Sequence, residues 1–533
     1  MLTEIVGRER VQAETAYADE ICQLLGNLPL AVKISARRLA SRRRWRLADL
    51  VERLRDEKNR LAELRLRDQE VRASFAVSWE ALDDTLRRIF ALLAVFEGRL
   101  FRASALAAVA KVDRNKAEDH LFSLGALSLV AEEGEKHYRQ HPLLVDFARE
   151  HLADDAAAFE RIAQYYLGYA KEHQHDYLEL EHEWDNLLAG MRTARRRKMW
   201  PVIIDYADTL AEAWFARARF SDMRQGYWWA CEAARALKND QALAHSLRQL
   251  GRACIEQGDY DEAEEYLTQS LEYSRALVDR PGLASAQYYL GRIAVEKAKY
   301  DDAQRLLEEC QAIREQLGDI AGVAETLYQQ VYIHYDRRNL EKAESLAKRA
   351  LDIQQTIGDK IGCIRTLGKL ADISIKQDEP RLGEQYCQRA LVLCEEIQER
   401  AELSIIFYIL AEALRRQGNL RAARDYAERS LVLLTQMGDR KMQARALWRL
   451  SMVAADLKNY PLALEEASQS LELLQELKDT WSMLYTLLQL GDVHQSLGEF
   501  DRAREIWSEA LNLANVLQHP LTEQLRRRLQ AGI

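Results

Sequence analysis

At 533 residues the chain is too long for one compact core, so several domains or a repeat array are expected. Its 75 Lys and Arg against 84 Asp and Glu leave a formal net charge of −9, a mildly acidic balance that argues against bulk nucleic-acid binding. Seven cysteines, without a CxxC pair, fit reduced thiols of a cytoplasmic protein better than a disulfide frame. No apolar run approaches the roughly 20 residues a membrane helix needs, and the N-terminus lacks the regions of a signal peptide.

Apolar residues at helical spacing predict a helix over residues 13–25, stopped by Gly26-Asn27, and a second opened by Leu28-Pro29-Leu30. A third covers residues 46–55. Further helices are predicted over 75–95, 103–110 and 115–124, then strands over 128–131 and 137–141 turned at Glu133-Gly134-Glu135. Three helices followed by a hairpin make a winged helix, which raises DNA binding. The candidate recognition helix reads NKAEDHLFSL, more acidic than a groove-reading helix should be. The basic runs at 37–46 and Arg195-Arg196-Arg197-Lys198 fit solvated helix ends or interdomain charge.

Gly26-Asn27-Leu28-Pro29-Leu30 resembles the Gly-Leu-Pro-Leu motif of NB-ARC ATPases, within the signal-transduction ATPases with numerous domains (STAND); Asn27 replaces one leucine. The resemblance implies that Pro29 packs near the adenine of a bound nucleotide; the alternative is a proline that starts a helix. The stretch His141-Pro142-Leu143-Leu144-Val145-Asp146-Phe147-Ala148 is similar to the end of that family's winged helix, whose histidine reaches the phosphate of ADP. His141 matches it, with Pro142 where the family usually has Asp; a helix-opening role is the alternative. The phosphate loop GxxxxGK[ST] does not occur, and Gly368-Lys369 is followed by Leu370 inside a repeat helix. No catalytic constellation stands out, so the chain as it stands is expected not to be an enzyme. No cofactor is expected in it; ADP or ATP would require a phosphate-loop domain supplied in cis or in trans.

Residues 178–188 (LELEHEWDNLL) resemble the stretch after the winged helix in bacterial NB-ARC proteins with repeat tails. His173, His175, Asp176 and His182 match no standard zinc spacing and read as exposed linker residues. Beyond Trp200-Pro201 the chain repeats every 40 residues. A small residue recurs at Ala263, Ala303, Ala343, Gly383, Ala423, Ala463 and Ala503, and again seven further on from Ser270 to Ala510. A leucine precedes the other helix's small position, as in Leu250-Gly251 and Leu490-Gly491. Gly251 and Ala263 sit on two helices whose backbones must approach closely, while Ser270 lets the next repeat pack. A helix pair that cannot bury its apolar face alone must stack. The pattern resembles the tetratricopeptide repeat in a 40-residue version. Its junctions Leu317-Gly318-Asp319, Ile357-Gly358-Asp359 and Met437-Gly438-Asp439 supply a left-handed helix stop.

The sequence therefore predicts an all-α protein: a winged-helix-containing N-terminal part followed by a right-handed α-solenoid of tetratricopeptide-like repeats. The expected domains are a small NB-ARC-type helical domain (1–68), a winged helix (69–155), connecting helices with a divergent first repeat (156–240), repeats (241–515) and a capping helix (516–533). In such a solenoid the first helix of each pair lines the concave side. Exposed positions there give Arg248, Arg252, Tyr288, Arg292, Tyr328, Tyr332, Tyr408 and Trp448, residue types that dominate binding hot spots; packing between helices is the alternative. Along the face, sign is expected to change from Arg248, Arg252 and Arg292 to Asp372, Glu412 and Asp492, which suits a polypeptide partner. The expected function is sensing: a protein or peptide bound on the repeats, relayed to an ATPase module, with homo-oligomers on activation and neither membrane nor nucleic acid as partner. A repeat adaptor without nucleotide dependence, or part of a transcriptional regulator, are the alternatives.

Overall fold

The structure, a computed structural model, describes residues 2–24, 32, 36, 39–40, 44–55, 79, 82–126, 129–134, 136–152, 156–517, 519 and 521–531. The expected Gly26-Asn27-Leu28-Pro29-Leu30 turn, with Pro29, and half of the basic run at 37–46 lie outside them. The chain forms two compact units, Met1–Val278 and Asp279–Ile533. It is almost wholly helical, as expected, and no helix among the described residues is long and apolar enough to cross a membrane.

The first unit opens with short helices at Leu2–Val6, Arg8–Ala13 and Thr15–Leu24, then Leu47–Arg55. Ile21, Leu47, Leu50 and Val51 close a small apolar core in which Leu143 is also buried. The helix expected over 75–95 is interrupted, and its residues 75–78 and 80–81 lie outside the described ones. Trp79 is helical, Leu82 and Asp83 break the run, and a second helix spans Asp84–Leu92, started by the Asp83 carboxylate accepting the Leu86 amide and tightening at its end into a 3-10 turn at Leu93–Phe96. Helices Ala103–Ala110 and Arg114–Ala126 follow, then β2 (Ala131–Glu132) and β3 (His137–Arg139), shorter than expected. A strand the sequence did not announce, β1 (Phe101–Arg102), pairs antiparallel with β3, giving the order β1-β3-β2. Phe96 and Phe101 stack at 4.0 Å beneath it.

The LELEHEWDNLL stretch joins this sheet to the helices that follow. Asn186 donates to Leu100 O at 2.7 Å, and Arg102 on β1 pairs with Glu179 at 2.7 Å and the buried Glu183 at 3.1 Å. Trp184 Nε1 donates to Asp222 at 3.1 Å, reaching the first repeat pair, Trp200–Ala216 and Phe220–Leu237. In the run Arg195–Lys198, Arg195 pairs with Glu232, Arg196 with Glu97, and Arg197 lies over Phe159, while Arg196 and Lys198 stay exposed. Asp176 caps the helix Tyr177–His182 by accepting from Glu179 N, and His175 hydrogen-bonds Gln174. Among the described residues, no group of three His, Cys, Asp or Glu is placed to hold a metal.

The 40-residue period becomes helix pairs. Asp240–Gln257 with Tyr260–Ala276 ends the first unit. The second unit runs from Arg280–Glu296 with Tyr300–Leu317 to Thr480–Ser496 with Phe500–Val516, and Leu521–Ala531 packs its Leu525 against Trp507 as a cap. The small residues sit where contact requires them. A β-carbon on Gly251 would lie 2.6 Å from Leu267 Cγ and 3.3 Å from Ala263 O. The Ser270 hydroxyl donates back to Ala244 O within its own pair at 2.7 Å, repeated by Ser470 to Ala444. Its equivalent Cys310 meets Thr326 of the next pair, the packing expected of that position. All seven cysteines are free, six of them buried.

At the pair-to-pair junctions Gly318, Gly358 and Gly438 take φ near +71 to +74°, and Asp319, Asp359 and Asp439 cap the following helix by accepting a backbone N–H. Gln398 and Lys478 hold the same left-handed conformation with a β-carbon, at φ 55°. A left-handed non-glycine residue costs roughly 1–2 kcal/mol. Lys478→Gly should therefore stabilise the second unit by about 1 kcal/mol, and Gly438→Ala should destabilise it by a similar amount. Urea titration followed by circular dichroism reads both; shifts of the same sign would contradict this account of the junction.

Candidate functional site

The first helices of the second unit present the candidate face. Because the close-contact position is fixed in each pair, the residues three before and one after it point the same way in every repeat. Tyr288, Arg292, Tyr328, Tyr332, Tyr408 and Trp448 are all half-buried there rather than fully exposed. Their rings lean on one another and on cations. Arg314 lies 4.8 Å over Tyr288, whose hydroxyl burial pushes up to about 12. The Tyr328 and Tyr332 hydroxyls share a hydrogen bond at 3.0 Å, and burial drives the Tyr328 hydroxyl well above its ordinary range. Arg449 lies under both Tyr408 (4.6 Å) and Trp448 (5.0 Å), and Trp448 meets Tyr485 edge-on at 6.1 Å.

Arg248 and Arg252 belong to the first unit. Arg248 donates to His245 Nδ1 at 3.2 Å, and Arg252 stacks 3.9 Å over Phe215 and pairs with Glu212. His141 caps helix Pro142–His151, its Nδ1 accepting the Leu143 amide at 3.3 Å.

The expected change of surface sign does not occur as an exposed pattern. Glu412 is buried, and its carboxylate is met by Arg449, by Arg415 at 2.8 Å and by Arg416 at 2.9 Å. Burial alone would raise it, yet these three guanidiniums hold it down at about 2. Asp372 accepts from the Tyr335 hydroxyl, with Lys369 at 4.0 Å. Asp492 pairs with Arg528 of the cap at 2.5 Å, and burial pushes it up to about 6 against that pull. Each acid is matched by a cation or hydroxyl from its own or a neighbouring helix, so little free negative field remains.

One cavity opens on this face. About 330 Å³ in volume, it spans the first helices Ile320–Asp336, Lys360–Lys376 and Arg400–Arg416. Tyr328 and Tyr332 form one wall and Ile405, Ile406 and Ile409 the floor. Its rim carries two pairs: Arg365 donating to Glu402 at 2.5 Å, and Lys369 beside Asp372. Lys369 Nζ also sits 4.2 Å over the Tyr332 ring. Arg365, Lys369, Glu402 and the isoleucine floor were missed from the sequence. Reading every exposed register of the first helices, rather than two, would have found them.

These features define an α-solenoid of tetratricopeptide-like helix pairs. A sequence profile described as "Tetratricopeptide repeat" matches residues 240–316 and 442–515. In fold, the chain is similar to a signal transduction ATPase with numerous domains that carries a tetratricopeptide repeat sensor, from Pyrococcus horikoshii. The TM-score is 0.60 at 15% identity, covering 94% of this chain and 74% of that one. In sequence it is similar to the regulatory protein AfsR of Streptomyces coelicolor, 37% identical over 180 residues, which are 32% of this chain and 18% of AfsR. It is also 30% identical over 234 residues to a protein of Mycobacterium tuberculosis named as an HTH-type transcriptional regulator, covering 40% of this chain and 26% of that protein. The chain thus spans about a fifth to a quarter of the length of these regulatory relatives.

The Glu412 cluster yields a prediction with a pH signature. A carboxylate held near 2 stabilises the fold fully above its unfolded value near 4.3, and that contribution is lost as pH falls toward 2. Glu412→Gln should cost about 3 kcal/mol at pH 7 and roughly half that at pH 3. Urea midpoints of both proteins at the two pH values test it; an equal difference at each would show that the charge is not responsible.

Proposed function

We propose that this chain is the sensing part of a STAND- or NB-ARC-type signalling switch, binding a polypeptide on the first-helix face of its repeats and relaying that event to a nucleotide-binding module. The observation that carries the reading is the set of half-buried Tyr and Trp side chains, backed by Arg and Lys, on the first helices of the second unit. Such residues combine large contact area with a polar handle and little rotamer freedom left to lose. The fold similarity to a STAND protein with a repeat sensor, and the similarity in sequence to regulatory proteins, support the same reading. The test is panning of the immobilised chain against a displayed random-peptide library. Tyr288→Ala and Trp448→Ala should each weaken the recovered peptides at least tenfold, whereas Phe122→Ala, a residue 80% exposed in the first unit, should leave them unchanged. Peptides indifferent to both first-helix variants would remove this face as the binding site.

In this reading the helices and hairpin between Asp84 and Arg139 form the winged helix, and His141 contacts the phosphate of ADP held by an ATPase domain in cis or in trans. Its present role as a helix cap is compatible with that contact, since a cap at a helix N-terminus also lies where anions are favoured. With such a domain supplied, His141→Ala should weaken ADP binding about tenfold by calorimetry. An unchanged affinity would leave His141 as a cap alone and favour the adaptor reading. The names of the relatives favour a second reading, part of a transcriptional regulator; salt-sensitive DNA binding by this chain would be its mark.

A further inference from the structure

The cavity on the first-helix face has a cause in the repeat register. The position three before the close-contact residue holds Tyr288, Tyr328, Gly368, Tyr408, Trp448 and Leu488 through the second unit. Five of the six are large side chains, and the remaining one is a glycine in the interior of the helix Lys360–Lys376. Nothing in the backbone requires a glycine there, because Gly368 is not among the residues at positive φ. The helix Arg400–Arg416 does approach closely at this point, but what an added carbon would meet differs from the branch carbon, backbone oxygen or indole ring met at Gly251 or Gly491. A β-carbon on Gly368 would meet only the side-chain tips Ile406 Cδ1 at 2.9 Å and Ile409 Cδ1 at 3.4 Å. Those atoms belong to the cavity floor. A side chain at 368 would therefore grow toward the cavity, at the register where the neighbouring repeats carry a tyrosine or tryptophan.

We infer that Gly368 opens a specificity notch that takes one bulky apolar side chain, of the leucine or phenylalanine class, from an extended polypeptide ligand. The inference rests on the proposed binding of a polypeptide to this face and adds which side chain is read, and where. The floor of three isoleucines and the wall of two tyrosine rings favour an apolar insert. A volume of about 330 Å³ lies at the small end of ligand pockets, enough for one large side chain and its adjoining backbone. The rim argues for a peptide rather than a charged polymer. It sets Arg365 beside Glu402 and Lys369 beside Asp372, so donors and acceptors are balanced around the opening. A uniformly anionic or cationic ligand would meet as much repulsion as attraction there. A peptide backbone, which offers an N–H and a C=O in each unit, finds a partner for both.

The test uses peptides selected by panning against the full chain, resynthesised with a fluorophore and titrated by anisotropy. Selected sequences should share one bulky apolar position, and its replacement by Ala should weaken binding at least tenfold. Gly368→Tyr, which restores the side chain of the neighbouring repeats, should abolish binding. Because that variant could disturb the helix, a second one reads the same notch by enlargement: Ile405→Ala should shift the preferred insert from leucine toward phenylalanine or tryptophan. Peptides that lose affinity in Trp448→Ala but bind Gly368→Tyr as before, with no change of preference in Ile405→Ala, would overturn the notch and leave polypeptide sensing intact. Selection of peptides without a shared apolar position would likewise overturn it. Failure of the library to yield any binder would overturn both.

Discussion

The close approach of two helices at a small residue is the constraint on which the structure depends. At Gly251 and Gly491 the first helix lies so near the second that one added carbon would meet Leu267 or Trp507 at under 3 Å. Such contact tolerates neither rotation of the helix about its axis nor sliding by a residue, because either would drive a large side chain into the gap. Once the contact residue is fixed, every other residue of that helix has a defined direction. The row of Tyr, Trp and Arg follows from the buried contact rather than from any interaction among the rings themselves.

The row is also more rigid than a row of solvent-exposed aromatics would be. Arg314, Lys369 and Arg449 pack against its faces, and Arg449, behind both Tyr408 and Trp448, is itself held by the buried Glu412. An ion pair of that depth is weak evidence for net stability, since desolvation offsets much of the attraction. Its firmer consequence is orientation: removing one member leaves an unmatched charge, so the set persists together. Rings held in advance lose little freedom when a partner arrives, and more of the contact energy remains as affinity.

How much of this was legible in the sequence depends on the range of the interaction. The 40-residue period, the glycine helix stops and the small contact residues express local geometry and could be read directly. The direction of the first-helix row of Tyr, Trp and Arg could also be read, because it follows from the period. The state of its charges could not: Glu412 stands one residue past a contact position and looks exposed, yet Arg449, 37 residues away in sequence, folds over it. Strand β1 escaped notice because two residues carry no alternation to detect, and its existence depends on pairing with β3, more than 30 residues on. The start of the helix at Asp84 was hidden for a different reason. Apolar periodicity continues upstream of it, and only the Asp83 side chain, bound to the Leu86 amide, ends the competition.

A repeat array joins its units only through neighbouring contacts, so a ligand influences it through the junctions it spans. The cavity draws residues from three successive first helices, and a ligand seated there touches both junctions between them. Contacts confined to one helix would be the same at any angle between repeats and could shift nothing, however tight the binding. Contacts shared among three helices favour the spacing that satisfies all of them at once. The free energy of binding then acts on the angle between repeats, the one coordinate that a stack can change without unfolding a pair. The proposed sensor would need no strained hinge: the packing of one helix pair on the next would be the element its ligand biases, from a cavity that spans two such packings.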